Sequence, residues 1–217
     1  MQPPLPPKHN PIEVVVFDLG GVLIDWNPRH LYRKLFDDGL AMERFLSEVC
    51  SPEWNRRQDA GRLWREAIAE LIARHPDQAA MITAYHQRWP EMLGGDLPET
   101  VELLRELKEL GLRLYALTDW SHETFPVARS RFAFLDWFDG IVVSGEERLV
   151  KPDPAIFERL LTRYGIAPPR AVYIDDSPRN VATAASLGLH ALRFAGADRL
   201  RQDLIALGLR LGPILFT

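Results

Sequence analysis

The sequence predicts an α/β fold in which a parallel sheet carries helices on both faces and a small all-α segment is inserted near its start. Three observations predict it. Short apolar runs recur along the chain, and amphipathic helical stretches separate them. One long interval, from about Pro28 to Gly94, shows helical patterns and no strand. Regular alternation of strand and helix implies right-handed crossovers and a parallel, Rossmann-like sheet.

The elements follow in order. The first eleven residues, MQPPLPPKHNP, are proline-rich and lack the apolar stretch of a signal peptide, so 1–11 is expected to be a flexible tail. Ile12–Phe17 is a β-branched apolar run of strand length that ends on Asp18. Inside the insert the helical candidates are Leu31–Phe36, Met42–Val49, Leu63–Ala73 and Ala79–Trp89. Gly94-Gly95-Asp96-Leu97-Pro98 marks the return of the chain. Pro98–Leu110 then places Val101, Leu104, Leu107 and Leu110 on one helical face, with Gly111 as its C-terminal cap. Leu112–Leu117, Gly140–Val143, Ala171–Ile174 and His190–Phe194 read as the remaining strands. Pro154–Tyr164 and Pro178–Leu187 read as helices that open at a proline. The expected division is a core of 12–27 with 95–217, and a helical insert of 28–94. The apolar end, Leu209 to Thr217, is expected to fold back onto the same chain.

Composition narrows the function classes. The chain has 217 residues, 47% hydrophobic and 26% charged, enough for one core and a small insert. Its net charge of −4 gives no reason to expect nucleic acid or an anionic membrane as a partner. No apolar run approaches the length that crosses a bilayer. Cys50 is the single cysteine, so no internal disulfide forms, and a reducing, cytoplasmic setting is expected. Monomer and homodimer both remain open.

In a parallel sheet, ligands bind beyond the carboxyl ends of the strands. The residues that follow each predicted strand are therefore informative. Asp18 follows the first, then Gly20 and Gly21. Thr118 and Asp119 follow Leu112–Leu117. The loop after Gly140–Val143 reaches Lys151-Pro152, and Asp175, Asp176 and Ser177 follow Ala171–Ile174. Carboxylates gathered at one edge repel one another, which calls for a hard cation with oxygen ligands, and Mg²⁺ fits. A carboxylate can also act as a nucleophile through an aspartyl-phosphate. Thr118 can donate to a phosphate oxygen, Lys151 can offset negative charge, and the amides of Leu19, Gly20 and Gly21 can cradle an anion.

These stretches, Asp18-Leu19-Gly20-Gly21-Val22, Thr118-Asp119, Lys151-Pro152 and Asp175-Asp176-Ser177, resemble the four motifs of the haloacid dehalogenase superfamily. The insert resembles that superfamily's small cap. The resemblance runs from about Ile12 to Leu207. It implies a phosphatase acting on a small phosphorylated metabolite, such as a sugar phosphate, with Asp18 as nucleophile and Thr118 and Lys151 on the phosphate. It implies Asp176 as a direct Mg²⁺ ligand, Asp175 as a direct or water-mediated one, and the Gly20 carbonyl as a backbone ligand. Three positions depart from the pattern. Gly20 replaces the usual acid for the leaving group, with Asp25 and Asp119 as candidate substitutes. Asp119 stands where Asn is usual, and Asn180 where Asp often stands. The alternatives are a 2-haloacid dehalogenase in which Asp18 attacks carbon without a metal, and a non-enzymatic binding relative.

Several residues have plainer readings. Asp175 or Asp176 can cap the helix at Pro178, and Thr118 can cap a following helix. Asp119 and Asn180 can simply bond loop backbone. Trp26, Trp54, Trp64 and Trp89 are expected in the core, although Trp26 and Trp120, each just past a motif, can line a pocket. His122 reads as a helix-start residue. The arginines of the insert read as solvated helix faces, with one or two reaching an anionic substrate.

Overall fold

The computed structural model describes residues 11–212. Nearly all of the expected tail and the last five residues of the apolar end lie outside that range. The chain enters through β1 (Val14–Phe17), every residue of which is buried. It continues into a short β2 (Ile24–Trp26) and then into the helical insert. The insert comprises α1 (Arg29–Tyr32), α2 (Gly39–Arg44), α3 (Pro52–Asp59), α4 (Trp64–Arg74) and α5 (Ala79–Gln87). Met42–Val49, read as one helix, is the end of α2 running into a π-helical turn at Phe45–Val49. Side chains start two of these helices. The Asp38 carboxylate accepts from the Leu40 amide, and the Ser51 hydroxyl accepts from the Trp54 amide.

The chain leaves the insert through β3 (Leu93–Asp96) and α6 (Pro98–Glu109). Next come β4 (Arg113–Thr118), α7 (Phe125–Arg131), β5 (Gly140–Val143), α8 (Ser144–Glu147) and α9 (Pro154–Tyr164). β6 (Ala171–Asp175), α10 (Pro178–Ser186), β7 (His190–Arg193) and α11 (Ala197–Ala206) complete it. The five expected strands form one parallel sheet in the order β5-β4-β1-β6-β7. Each strand end lies within two residues of its expected position.

Alternate side chains of β1 divide the core in two. Val15 and Phe17 pack with Leu103, Leu104 and Leu107 of α6 and Leu200 and Leu204 of α11. Val14 and Val16 pack on the other face with Ile156, Phe157 and Leu160 of α9 and Ala184 of α10. Both faces of the sheet are therefore covered, which is why its inner strands read as largely apolar runs.

Five features depart from the expected layout. β2 and β3 pair as an antiparallel ribbon at the base of the insert, so residues 93 and 94, assigned to a strandless segment, are extended. α3, α7 and α11 are helices that the periodicity reading passed over, and a fourth, α8, is a single turn. The described part of the apolar end packs on its own chain, as expected. Leu209 and Leu211 lie against the core, the Gly212 amide donates to Glu106, and Arg201 donates to the Gly212 carbonyl. Among the described residues no helix is long and apolar enough to cross a membrane.

Candidate active site

Register decides what meets at the sheet edge. Phe17 is level with Ala116 of β4 and Ile174 of β6. Asp18 therefore emerges beside Asp175 on one flank, and Thr118 ends β4 on the other. Lys151, from the loop after α8, enters between the two acids. Its Nζ lies 2.9 Å from Asp18 Oδ1 and 2.8 Å from Asp175 Oδ2. All three side chains are buried, Lys151 to 2% exposure. A buried lysine is tolerated only where opposite charges hold it. Burial works against its charge, but Asp18, Asp175 and Asp119 outweigh burial and hold the ammonium form.

Asp175 is saturated with donors. Besides Lys151, its Oδ2 accepts from the Tyr173 hydroxyl at 2.5 Å, and its Oδ1 accepts from the Ser177 amide at 2.8 Å. Asn180 Nδ2 reaches both oxygens at 3.0 Å. Asp18 is held on one side only. Its Oδ1 accepts from the Leu19 amide at 2.7 Å as well as from Lys151. Burial pushes the Asp18 carboxyl up to about 7, with Asp175 and Asp119 adding to the rise and Lys151 opposing it. Burial also raises Asp119, against the pull of Lys151, and raises Asp176, where Asp175 adds to the effect.

One oxygen each from Asp18, Asp175 and Asp176 lies within 4.8 Å of the others. Three carboxylates against one ammonium leave negative charge that a hard divalent cation would balance, and the donor set, all oxygen, fits Mg²⁺. Because Asp175 already has its donors, Asp18 and Asp176 are the acids open to such an ion. Gly21 makes room for this arrangement. Its φ is 74°, and a Cβ there would stand 2.9 Å from Asp176 Oδ2. Gly21→Ala is expected to lower stability by about 1–2 kcal/mol through the left-handed backbone alone. Where Mg²⁺ raises the unfolding temperature of the wild type, the variant is expected to gain less, since the methyl displaces Asp176. Thermal unfolding with and without Mg²⁺ checks both effects.

The loop amides are not equally available. The Leu19 N–H serves Asp18, and the Gly21 N–H donates to the Ile24 carbonyl at 2.9 Å. Of the three expected to cradle an anion, the Gly20 amide is the one not engaged in these bonds. Thr118 is 1% exposed at the end of β4. Asp119 Oδ1 accepts from the Lys151 backbone amide at 3.0 Å, so it steadies the lysine loop. Asp25 lies in the β2–β3 ribbon, bonded to His30 at 2.9 Å, and both crowd Gly94, where a Cβ would collide with them.

A cavity of about 60 Å³ opens beside Gly20. Trp26, Trp89 and Trp120 form its aromatic wall, and Asn55, Asp59 and Asp119 its polar lining. Trp26 and Trp120 were among the expected lining residues; Trp89 is buried in the core, as expected, and also lines the cavity. Trp54 and Trp64 are core residues. Asn55 and Asp59, from α3, gave no signal in the sequence because that helix has no clean apolar stripe. The insert is fastened directly over the sheet edge. Ser144 Oγ donates to the Asp59 carbonyl at 2.6 Å, and Arg56 Nη2 donates to the Lys151 carbonyl at 2.5 Å. Trp64 Nε1 donates to Ser121 Oγ at 3.1 Å. Arg56 is thus an insert arginine that reaches the motif residues.

Residues 12–188 match the family described as haloacid dehalogenase-like hydrolase. The chain is 27% identical over 180 residues to a sesquiterpene phosphatase of Aspergillus oryzae, covering 83% of this chain and 88% of that one. Its fold is similar to a HAD family enzyme from Bacteroides thetaiotaomicron solved with magnesium and inorganic phosphate. The TM-score is 0.63 and the identity 23%, over 84% of this chain and 93% of that one. It is also similar to the L-2-haloacid dehalogenase of Xanthobacter autotrophicus, solved with chloropropionic acid covalently bound. There the TM-score is 0.61 and the identity 18%, over 90% and 83%. The family match spans most of the chain and every cluster of acids at the sheet edge, and the phosphatase relative covers nearly the same length. The chain belongs to the haloacid dehalogenase-like hydrolases.

Proposed function

We propose that this hydrolase is a Mg²⁺-dependent phosphatase that removes phosphate from a small phosphorylated metabolite through an aspartyl-phosphate on Asp18. The observation that carries the reading is the convergence of Asp18, Asp175 and Asp176 around Lys151 at one edge of the sheet. Both donors to Asp18 fall on Oδ1, which leaves Oδ2 to attack phosphorus. Lys151, kept charged by its two acids, stabilises the negative charge that grows on the phosphoryl oxygens. The Thr118 hydroxyl and the Gly20 amide orient those oxygens. Water then attacks the phosphorus of the aspartyl-phosphate and restores Asp18.

Asp18, Asp176 and the Gly20 carbonyl are the groups that would hold Mg²⁺. When bound, the ion would neutralise phosphoryl charge that one lysine leaves unbalanced. Asp175 positions Lys151, and Asp119 positions the loop that bears it. Residues 28–94 act as a cap that excludes water from the reacting groups. A cytoplasmic setting agrees with the free, buried Cys50.

The test is phosphate release from a panel of phosphorylated metabolites, with Mg²⁺ and with EDTA. Release in Mg²⁺ that falls to background in EDTA is expected. Halide release from a 2-haloacid in EDTA, with no phosphate released from any ester, would show that Asp18 attacks carbon instead. Tight binding without turnover of either class would show a binding protein.

A further inference from the structure

Transfer of a phosphoryl group to Asp18 leaves an alkoxide on the departing alcohol unless a proton arrives as the P–O bond breaks. The loop that bears Asp18 supplies none, since Leu19, Gly20 and Gly21 have no acidic side chain. At Gly20 the space is open, with nothing within 4 Å of where a Cβ would lie. The cavity beside it is closed on the far side by α3, and the last residue of that helix is Asp59.

Asp59 is held as a positioned group is held. Asn55 Nδ2 donates to its Oδ2 at 2.9 Å, and Ser144 Oγ pins its backbone carbonyl at 2.6 Å. The Asn55 bond falls on Oδ2 alone. The surroundings suit an alcohol. The indole nitrogens of Trp26 and Trp120 and the Asn55 amide oxygen are buried, with no hydrogen-bond partner among the described residues. The residues that carry these atoms line the cavity, whose aromatic wall suits the carbon face of a compact alcohol.

Resting on the phosphatase reading, we propose that Asp59 is the general acid of the reaction. In the first step the bond from Asp18 Oδ2 to phosphorus forms, the bond from phosphorus to the leaving oxygen breaks, and the Asp59 proton goes to that oxygen. In the second step a water oxygen bonds to phosphorus, the aspartyl-phosphate bond breaks, the water proton leaves to solvent, and Asp59 regains its proton from solvent. The sum is ester and water to alcohol and phosphate, with no other reactant.

The protonation state agrees. Burial pushes the Asp59 carboxyl up to about 8, and Asp119, from the loop after β4, adds to the rise. The Ser121 amide and Arg56, on its own helix, act the other way, and Tyr85 of α5 faces it as a neutral phenol. Asp59 thus carries its proton at neutral pH, ready to give it up.

The experiment compares Asp59→Asn and Asp119→Asn with the wild-type full chain in Mg²⁺. The substrates are the best alkyl phosphate of the panel and acetyl phosphate, whose leaving group needs no proton. For Asp59→Asn, kcat on the alkyl phosphate is expected to fall about 10²–10³-fold, and on acetyl phosphate only a few-fold. Wild-type kcat on the alkyl phosphate is expected to decline above about pH 8, and on acetyl phosphate not to. That pH profile needs no variant and stands if Asp59→Asn fails to fold. Equal losses on both substrates, no loss on either, or a selective loss confined to Asp119→Asn would each overturn the assignment. A wild-type enzyme that releases phosphate from neither compound would overturn the phosphatase reading and this one together.

Discussion

Asp18→Asn is expected to cut phosphate release by roughly 10⁴-fold or more, the usual consequence of removing a covalent nucleophile. Asparagine keeps the shape of the residue and an oxygen for the Leu19 amide, but its amide group does not attack phosphorus. The fold is expected to survive. Asp18 contributes one of two carboxylates around Lys151, and Asp175 continues to hold the lysine at 2.8 Å with help from Tyr173, Ser177 and Asn180. The variant should therefore unfold within a few degrees of the wild type while losing turnover. A Mg²⁺-dependent activity that persists in Asp18→Asn would place the chemistry on another residue. Acid-quench labelling with a ³²P-phosphorylated substrate adds a direct readout, because a covalent phosphoryl-protein should form in the wild type and be absent in the variant.

Lys151→Met is expected to have the opposite balance, with a large loss of stability accompanying the loss of activity. Methionine approximates the length of the lysine stem but removes the ammonium that sits 2.9 Å from Asp18 and 2.8 Å from Asp175. Both carboxylates then remain buried without their shared partner. Breaking a buried pair in this way costs about 3–5 kcal/mol. In a chain of this size that corresponds to an unfolding midpoint about 10 °C lower. The double variant Lys151→Met with Asp18→Asn should recover part of that loss. One of the two stranded charges is gone, and Asp175 keeps its other donors. A midpoint for Lys151→Met equal to that of the wild type would mean that water or another group already satisfies the two acids, and that Lys151 is not the counter-charge described above.

The contrast between the two variants follows from how the site is built. In the proposed mechanism Asp18 is the group that reacts, through an Oδ2 that neither of its donors occupies. Lys151 joins two strands electrostatically, so its removal is felt by the fold as well as by the chemistry.

Much of this was legible in the order of residues. β1, β4 and β6, the inner strands, are largely apolar because both faces of the sheet are covered there, and that burial leaves a local mark of about four apolar residues. Glycine and proline punctuate the helices for equally local reasons, as with Gly111 after α6 and Pro154 and Pro178 at the first turns of α9 and α10. Asp18, Thr118 and Asp175 could be picked out because a polar group that ends an apolar run needs a reason to be there.

Other features left no local trace. The β2–β3 ribbon joins two segments some seventy positions apart, each too short to show a period of two. α3 buries only Trp54 and Gln58, so no apolar stripe announces it. The division of labour between the paired acids depends on Tyr173 and Asn180 closing around Asp175, which leaves Asp176 to face Gly21. Asp59 reads as one more polar residue until α3 docks on Ser144 and the tryptophans surround it. The sequence alone therefore determined the sheet, its order of chemistry-bearing ends and the family resemblance, because burial and backbone geometry act over a few neighbouring residues. Only the tertiary structure decided which acid holds the lysine, which tryptophans wall the cavity and which side chain of the insert faces it. Those outcomes depend on distances between segments far apart in the chain, and packing of the whole molecule sets them.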